Sequence, residues 1–283
     1  MKLKKLLFIL LFFNLLSCNK EEIIKNYSFF VAGHTYGEPK VDNVGFHPPF
    51  KDKFNLINNN KLIELGILTG DIVITSSNKN WDEIDSDLEL LNCQVFFAAG
   101  NHDVDIAGIY ESRYGKTYKS FIHNSDLFII LDPNIDNWNI SGNQLLFLKN
   151  TLNENHSNVD NIFVFFHQML WWEPDNIYRY VKMNSNAGRS DSINFWTQVE
   201  PLFRSLNNKT YMFSGDVGAL NQSSAFMYHN YENITLIASG MGDGVRDNFI
   251  IIEVNDNKIH FNLIALNGND INSLGNLTDY ELP

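Results

Sequence analysis

The side chains that could do chemistry in this sequence share one position: each group follows directly after a short apolar run. All are histidine, aspartate or asparagine, and none is cysteine. Imidazole and oxygen ligands without thiolate suit Mn, Fe, Zn or Mg, so the pattern predicts a divalent-metal site. Any one of them alone could be an ordinary turn residue after a strand, but five such groups in one chain favour a shared site. The residues are His34, Asp71, Asn101, His102, Asp103, His167 and Asp216.

Five apolar runs must position these side chains. Each run is rich in Phe, Val, Ile, Leu or Ala and does not alternate with polar residues, which is typical of strands buried on both faces. The runs cover residues 28–32, 66–69, 94–99, 161–166 and 210–214.

Segments with helical spacing lie between the runs. Residues 81–91 and 141–152 carry apolar side chains on one helical face, and the second segment begins at a candidate N-cap, Ser141. Two later strands are predicted at 234–239 and 248–254. Strands that alternate with helices imply an α/β domain with a largely parallel sheet. Because ligands of such sheets gather beyond the carboxyl ends of the strands, we expect the candidate side chains to converge there.

The block Gly100-Asn101-His102-Asp103, preceded by Gly70-Asp71, resembles the motifs of the calcineurin-like metallophosphoesterases. Residues 110–121 and 142–152 resemble the segments that the family places before its later strands. The resemblance covers roughly residues 28–265 of the chain. It implies a four-layer α/β/β/α sandwich that holds two metal ions about 3.5–4 Å apart, with a metal-activated water that attacks phosphorus.

The resemblance also implies metal ligands. Asp71 would be the bridging carboxylate, and His34 would join it at the first metal. Asn101, His167 and Asp216 would complete the second metal.

Two further residues receive catalytic roles from the resemblance. His102 would sit near the leaving oxygen as a general acid or a transition-state donor. Asp103 would orient the His102 imidazole.

The sequence departs from the family pattern at the first metal. Ala32 stands where the family has an aspartate, and Gly215-Asp216-Val217-Gly218 stands where it has Gly-His-x-His. The first metal thereby loses two ligands, while Asp216 could replace a histidine at the second. The sequence therefore favours one ion, most simply Mn, Fe or Zn, over two. The alternative is that other residues restore the first metal, with candidates in Glu38, Asp42, His47, His229 and Asp243.

The long segment after His167 is the candidate specificity element. Trp171 and Arg189 could contact a phosphate that bears a ring or a sugar. The alternative is a surface loop whose tryptophans pack on the body of the domain.

These observations lead to two hypotheses about function. The first is a hydrolase of phosphate monoesters or diesters that acts on a phosphorylated small molecule or envelope component. The second is a non-catalytic binding or structural lipoprotein that keeps the fold after losing ligands of the first metal.

Composition excludes several classes of protein. The chain has 283 residues, of which 44% are hydrophobic, so it is not a disordered polypeptide. Two cysteines cannot form a disulfide framework. A net charge of −12 without a basic run argues against nucleic-acid binding.

The N-terminus has the pattern of a secretory signal peptide. Lysines in the first five residues precede an apolar stretch at 6–16, which is too short to span a bilayer. Leu15-Leu16-Ser17-Cys18 resembles a bacterial lipobox, which would lipidate Cys18 and anchor the exported protein to a membrane of the cell envelope. The alternative is a plain signal peptide. The residues that follow, Asn19-Lys20-Glu21-Glu22, place a lysine before two acids and resemble a surface-export signal, but they could equally be a solvated tether.

The predicted organisation is a signal peptide at 1–17, a tether at 18–27, one phosphoesterase domain at 28–270 and a C-terminal tail at 271–283. Cys93 lies in an apolar run and is expected to be a buried free thiol.

Overall fold

The computed structural model describes residues 26–41, 43, 45–256 and 258–282. The predicted signal peptide, Cys18 and most of the predicted tether lie outside these residues. No helix in the described ranges is both long and apolar enough to cross a membrane.

Eleven strands follow one another in the described part of the chain. They are β1 (Asn26–Ala32), β2 (Ile63–Leu68), β3 (Gln94–Phe97), β4 (Lys119–His123), β5 (Asp126–Ile130), β6 (Asn161–Phe166), β7 (Lys209–Ser214), β8 (Phe226–Tyr231), β9 (Ile234–Ser239), β10 (Asn248–Asn255) and β11 (Lys258–Ala265).

Six α-helices lie in the same described residues. They are α1 (Pro48–Lys51), α2 (Phe54–Asn59), α3 (Asn78–Leu88), α4 (Ile109–Tyr114), α5 (Gly142–Asn155) and α6 (Glu200–Arg204).

The strands form two sheets. The first has the order β11-β10-β1-β2-β3, and the second has the order β4-β5-β6-β7-β9-β8. The strands β1, β2 and β3 pair in parallel, as do β5, β6, β7 and β9, while the hairpins at the sheet edges are antiparallel. The predicted parallel pairing is therefore confirmed for the strands that carry the candidate residues, whereas β10, inside the first sheet, is antiparallel to both β1 and β11. The edge strands β4, β8 and β11 are antiparallel and were not revealed by the apolar runs.

The apolar runs are continuous because each strand is covered on both faces. In β1, Phe29 and Val31 pack between the two sheets, whereas Phe30 and Ala32 pack beneath α1 and α3. A third cluster joins the outer face of the second sheet to α5. Full burial of one such phenylalanine contributes roughly 1.5–3 kcal/mol. The layers are helices, sheet, sheet and helices, which confirms the predicted α/β/β/α sandwich.

The two predicted helices are present with shifted ends. α3 begins three residues early because the Ser77 hydroxyl accepts a hydrogen bond from the Asn80 N–H and caps it. α5 does follow Ser141, but the hydroxyl of that serine donates to Asp136 Oδ2 at 2.5 Å instead of capping the helix.

Both ends of the predicted domain extend further than expected. β1 begins at Asn26, and Tyr27, which was assigned to the tether, is fully buried. Leu277, which was assigned to the tail, is also fully buried and packs in the cluster between the sheets.

Cys93 forms no disulfide within the described residues and is half-buried. Burial raises the pKa of its thiol to about 11. The thiol is therefore protonated at neutral pH and unreactive.

Candidate active site

The candidate side chains lie where the two sheets meet, on the turns that follow β1, β2, β3, β6 and β7. Backbone hydrogen bonds join these turns. The His34 N–H donates to the Gly70 carbonyl at 3.0 Å, and the Asp216 N–H donates to the His167 carbonyl at 3.1 Å. The expected convergence therefore holds for His34, Asp71, His167 and Asp216.

Two residues in these turns adopt strained backbone conformations of the kind that cluster at functional sites. His34 and Asp71 have φ values of 55° and 53°, in a region that costs roughly 1–3 kcal/mol for residues other than glycine. At Gly100, an added Cβ would lie 2.3 Å from Asp71 Oδ1. The glycine of the Gly-Asn-His-Asp block is thus required because the Asp71 carboxylate lies against its backbone.

Three histidines of the site hold their rings in the same way. The Nδ1–H of His34 donates to the Met241 carbonyl at 3.0 Å, and the Nδ1–H of His167 donates to the Thr69 carbonyl at 2.9 Å. The Nδ1 of His102 makes the same kind of contact, at 2.8 Å, to a backbone carbonyl. Since a carbonyl can only accept, each Nδ1 carries a proton and each Nε2 is the ring atom that a metal could bind, as in metal-binding histidines.

His167 Nε2 is buried between two carboxylates without a hydrogen-bond partner. It lies 3.3 Å from Asp71 Oδ1 and 3.9 Å from Asp216 Oδ1. An ion bonded to nitrogen and oxygen ligands at about 2.0–2.2 Å holds those ligands roughly 3–4 Å apart. The two contacts of His167 therefore fall within the spacing of ligands that share one ion.

The pKa values show how strongly this pocket attracts positive charge. Burial alone would raise the pKa of Asp71 and lower that of His167, but their mutual attraction holds the pKa of Asp71 well below its usual range and raises that of His167 to about 10. Burial raises the pKa of Asp216 to about 8. Without a metal, a proton on His167 and another on Asp216 balance the buried carboxylates.

No three His, Cys, Asp or Glu side chains enclose a finished ion site in the described ranges. The contacts are pairwise, because Asp71 turns Oδ1 to His167 and Oδ2 to His34 Nε2 at 3.6 Å.

Within the part of the chain that the structure describes, other residues do not rebuild the first metal position. Ala32 is fully buried in the apolar cluster beneath the helices, and a Cβ on Gly218 would lie 2.6 Å from the Gly240 carbonyl carbon. The Tyr36 ring packs against the His34 ring, and the two ring centroids are 4.2 Å apart. The described residues around His34 therefore fit a second ion poorly.

Among the described residues, no contact joins the side chains of the other candidates for the first metal to His34 or Asp71. His47 Nε2 faces Asp247 Oδ2 at 3.6 Å, and His229, which lies on β8, packs beside the Tyr178 ring. Asp243 is exposed, Glu38 has no recorded contact with the site, and Asp42 lies outside the described residues.

The Gly-Asn-His-Asp block contacts Asp71 through its backbone. The His102 N–H donates to Asp71 Oδ1 at 3.2 Å, and the half-buried His102 ring leaves Nε2 available. Asn101 is exposed, and no recorded contact joins its side chain to His167 or Asp216.

The orienting role predicted for Asp103 is wrong. Its carboxylate accepts the N–H groups of Ile72, Val73 and Gly100 at 2.7, 3.1 and 2.8 Å. The His102 ring is oriented by the Ile74 carbonyl instead. Asp103 ties the turn of Asp71 to the turn of His102, which makes it a positioning residue.

The side chains of the two residues predicted to contact substrate instead contact other parts of the protein. Trp171 is fully buried, and its Nε1–H donates to Met227 Sδ at 3.3 Å. Arg189 pairs with Glu173 at 2.6 Å and donates to the Trp172 carbonyl. The prediction that Trp171 and Arg189 contact substrate is therefore wrong, since packing and an ion pair already use both side chains.

Tyr36 is the residue of this site that the sequence did not single out. Its ring packs between His34 and His102, with centroids 4.2 and 5.3 Å away. The sequence feature that could have indicated Tyr36 is its position two residues after His34, in the same turn.

The comparisons agree with this geometry. The family model described as calcineurin-like phosphoesterase matches residues 34–240, so the chain belongs to the calcineurin-like phosphoesterase family. The earlier resemblance is thereby confirmed. No match was found among curated proteins.

Two solved structures are similar to the chain, and the first of them supports the fold. A purple acid phosphatase from yellow lupin (Lupinus luteus) seeds is 13% identical, with a TM-score of 0.62, and the match covers 87% of this chain and 52% of that one. A predicted 5′-nucleotidase from Staphylococcus aureus is 12% identical, with a TM-score of 0.48, and the match covers 87% of this chain and 55% of that one. The chain thus spans about half the length of these two proteins.

Proposed function

We propose that the chain is a hydrolase of phosphate esters that uses one divalent ion, Mn, Fe or Zn, held by His167, Asp71 and Asp216. The observation that carries the proposal is His167 Nε2, which is buried without a partner between two carboxylates. When bound, a divalent ion supplies an activated water and polarises a phosphoryl oxygen. Asn101 remains a proposed fourth ligand on the strength of the family motif.

In this proposal, His102 is the general acid that donates a proton to the leaving oxygen. Its Nδ1–H is fixed on the Ile74 carbonyl, so a second proton would sit on Nε2 and be given to the leaving oxygen. The His102 N–H holds Asp71 Oδ1, which keeps the donor at a fixed place relative to the metal ligands.

Metal analysis and an activity assay test the proposal together. The purified chain should bind about one equivalent of Mn, Fe or Zn, and hydrolyse p-nitrophenyl phosphate or its bis-ester. His167→Ala should lose both the metal and the activity, while His260→Ala, at an exposed histidine, should keep both. A metal-free protein that is inactive with every added metal would instead favour the non-catalytic lipoprotein.

We also propose that the protein is exported and anchored to a membrane of the cell envelope through a lipid on Cys18. The support is the basic, apolar and Leu-Ser-Cys pattern of the first 18 residues. Globomycin should block processing at Cys18, as seen by mass spectrometry of the membrane fraction. Processing that ignores the drug would contradict the lipid anchor and leave a plain signal peptide.

A further inference from the structure

A cavity of about 340 Å³ opens beside the candidate site. Three loops line it, and they follow the parallel strands β6, β7 and β9. The carboxyl ends of these strands meet at one edge of the second sheet, so the cavity and the candidate site share that edge. We call it the basic groove, and its main lining residues are Tyr180, Lys182, Gly218, Asn221, Gln222 and Arg246.

The groove and the candidate site share a wall. Gly218 lines the groove two residues after Asp216. The Asn184 N–H donates to the Asp216 carbonyl at 3.1 Å, and Asn184 Oδ1 accepts the Ala219 N–H at 2.8 Å. A ligand in the groove therefore lies against the loop that carries a proposed metal ligand.

Arg246 lines the groove and forms no ion pair with an acid among the described residues. Its guanidinium lies over the Phe226 ring at 4.4 Å and near the Tyr280 ring at 5.3 Å. Arg113, Arg189 and Arg204, in contrast, are each paired with an acid. Aromatic stacking fixes the guanidinium plane and leaves its donors free for an anion.

Lys182 is the second cation of the groove. It is exposed and forms no recorded ion pair within the described ranges, although the chain as a whole carries a net charge of −12. The one acid that lines the groove, Asp247, is 2% exposed. Its Oδ1 accepts the Gly244 N–H and its Oδ2 faces His47, so its charge is directed away from the opening.

We propose that the basic groove binds a second anionic group, a phosphate or a carboxylate, of the ester that the candidate site cleaves. The inference rests on the proposed function. Amide donors of Asn221 and Gln222 line the same groove and would complete the contacts to the anion. The substrate class is thus a small molecule with two anionic groups rather than a simple monoester.

The test compares two sugar phosphates on the metal-loaded full chain at physiological ionic strength, where distant charges are screened. Fructose 1,6-bisphosphate carries a second phosphate in addition to the ester that is cleaved, and fructose 6-phosphate carries none. In the double variant Lys182→Ala/Arg246→Gln, KM for the bisphosphate should rise about tenfold or more with kcat unchanged. KM for the monophosphate should change by less than about twofold.

Lys209→Ala is the matched control, because this exposed lysine lies at the amino end of β7, at the opposite edge of the sheet. It should leave both KM values unchanged. An equal rise in both KM values for the double variant would overturn the groove as a subsite.

Calorimetric binding separates this inference from the proposed function. If the wild-type chain hydrolyses no ester, the proposed function fails. The groove would still be supported if the wild-type chain binds the bisphosphate more tightly than the monophosphate and the double variant does not. Equal binding of both sugar phosphates to the wild-type chain would overturn it.

Discussion

Oδ1 of Asp71 lies 3.3 Å from Nε2 of His167, and the two atoms do not form a hydrogen bond. The two residues come from different sheets and are 96 positions apart in the sequence. Their side chains are almost completely buried, so the charge on each depends on the other and on whatever cation lies between them.

Asp216→Asn should weaken metal binding at least tenfold, because the amide keeps the shape of the carboxylate but loses its charge. Titration of the metal-stripped protein with Zn or Mn, followed by calorimetry, measures the change. Asp191→Asn, at an exposed aspartate, is the control and should bind metal as the wild type does. Unchanged affinity in Asp216→Asn would remove Asp216 from the ligand set.

In the metal-free protein, the stabilisation from His167 should depend on pH. The folded-state pKa of His167 is raised from 6.5 to about 10, so its contribution is complete below pH 6.5 and is lost as the pH rises through 10. The pKa of Asp71 is lowered, so the contribution of Asp71 stays constant over the same range. The destabilisation caused by His167→Gln should therefore shrink by roughly 3 kcal/mol between pH 6 and pH 9. Urea unfolding with EDTA at both pH values measures it, and a pH-independent difference would contradict the buried ion pair.

Substitution of Asp103 should lower the stability of the protein, whereas substitution of His102 should lower its activity. Asp103→Asn replaces an acceptor of three backbone N–H groups with an amide, and should cost about 1–3 kcal/mol of unfolding free energy. His102→Gln should leave the unfolding free energy nearly unchanged and lower kcat about 10²–10⁴-fold. Thermal unfolding and steady-state kinetics of both variants check this, and the opposite assignment of effects would refute the positioning role of Asp103.

Gly218→Ala should destabilise the protein more than Gly188→Ala does. Both glycines have positive φ, 80° and 74°, so an alanine is strained at either position. At Gly218 the new Cβ would also lie 2.6 Å from the Gly240 carbonyl carbon, whereas nothing lies within 4 Å at Gly188. We expect about 1 kcal/mol at Gly188 and at least about 2 kcal/mol at Gly218, measured by urea unfolding. For the same steric reason, Gly218→His should not raise the metal content above one equivalent.

Trp171→Ala should cost about 3–5 kcal/mol of unfolding free energy, because it leaves a large cavity in the outer cluster of the second sheet. Trp172→Ala, at a partly buried tryptophan, should cost less. Trp171→Phe should keep the KM of the wild type for phosphate esters. A changed KM with unchanged stability would return Trp171 to the substrate site.

The sequence determined the framework of this protein. The continuous apolar runs identify strands such as β1 and β6 that are covered on both faces, and the residue types at their carboxyl ends predict His34, Asp71, His167 and Asp216 as neighbours. These inferences succeed because burial and strand direction leave a local trace in the order of residues. The loss of ligands at Ala32 and Gly218 is visible for the same reason.

Only the tertiary structure decided what each side chain contacts. The long segment after His167 has tryptophans and arginines that suit a ligand, yet Trp171 turns into the core and Arg189 pairs with Glu173. Asp103 looked like a partner of the histidine beside it, but backbone N–H groups from a distant turn bind it first. Tyr36 and the basic groove depend on loops separated by many residues, whose approach is set by packing between the sheets and leaves no pattern in the sequence.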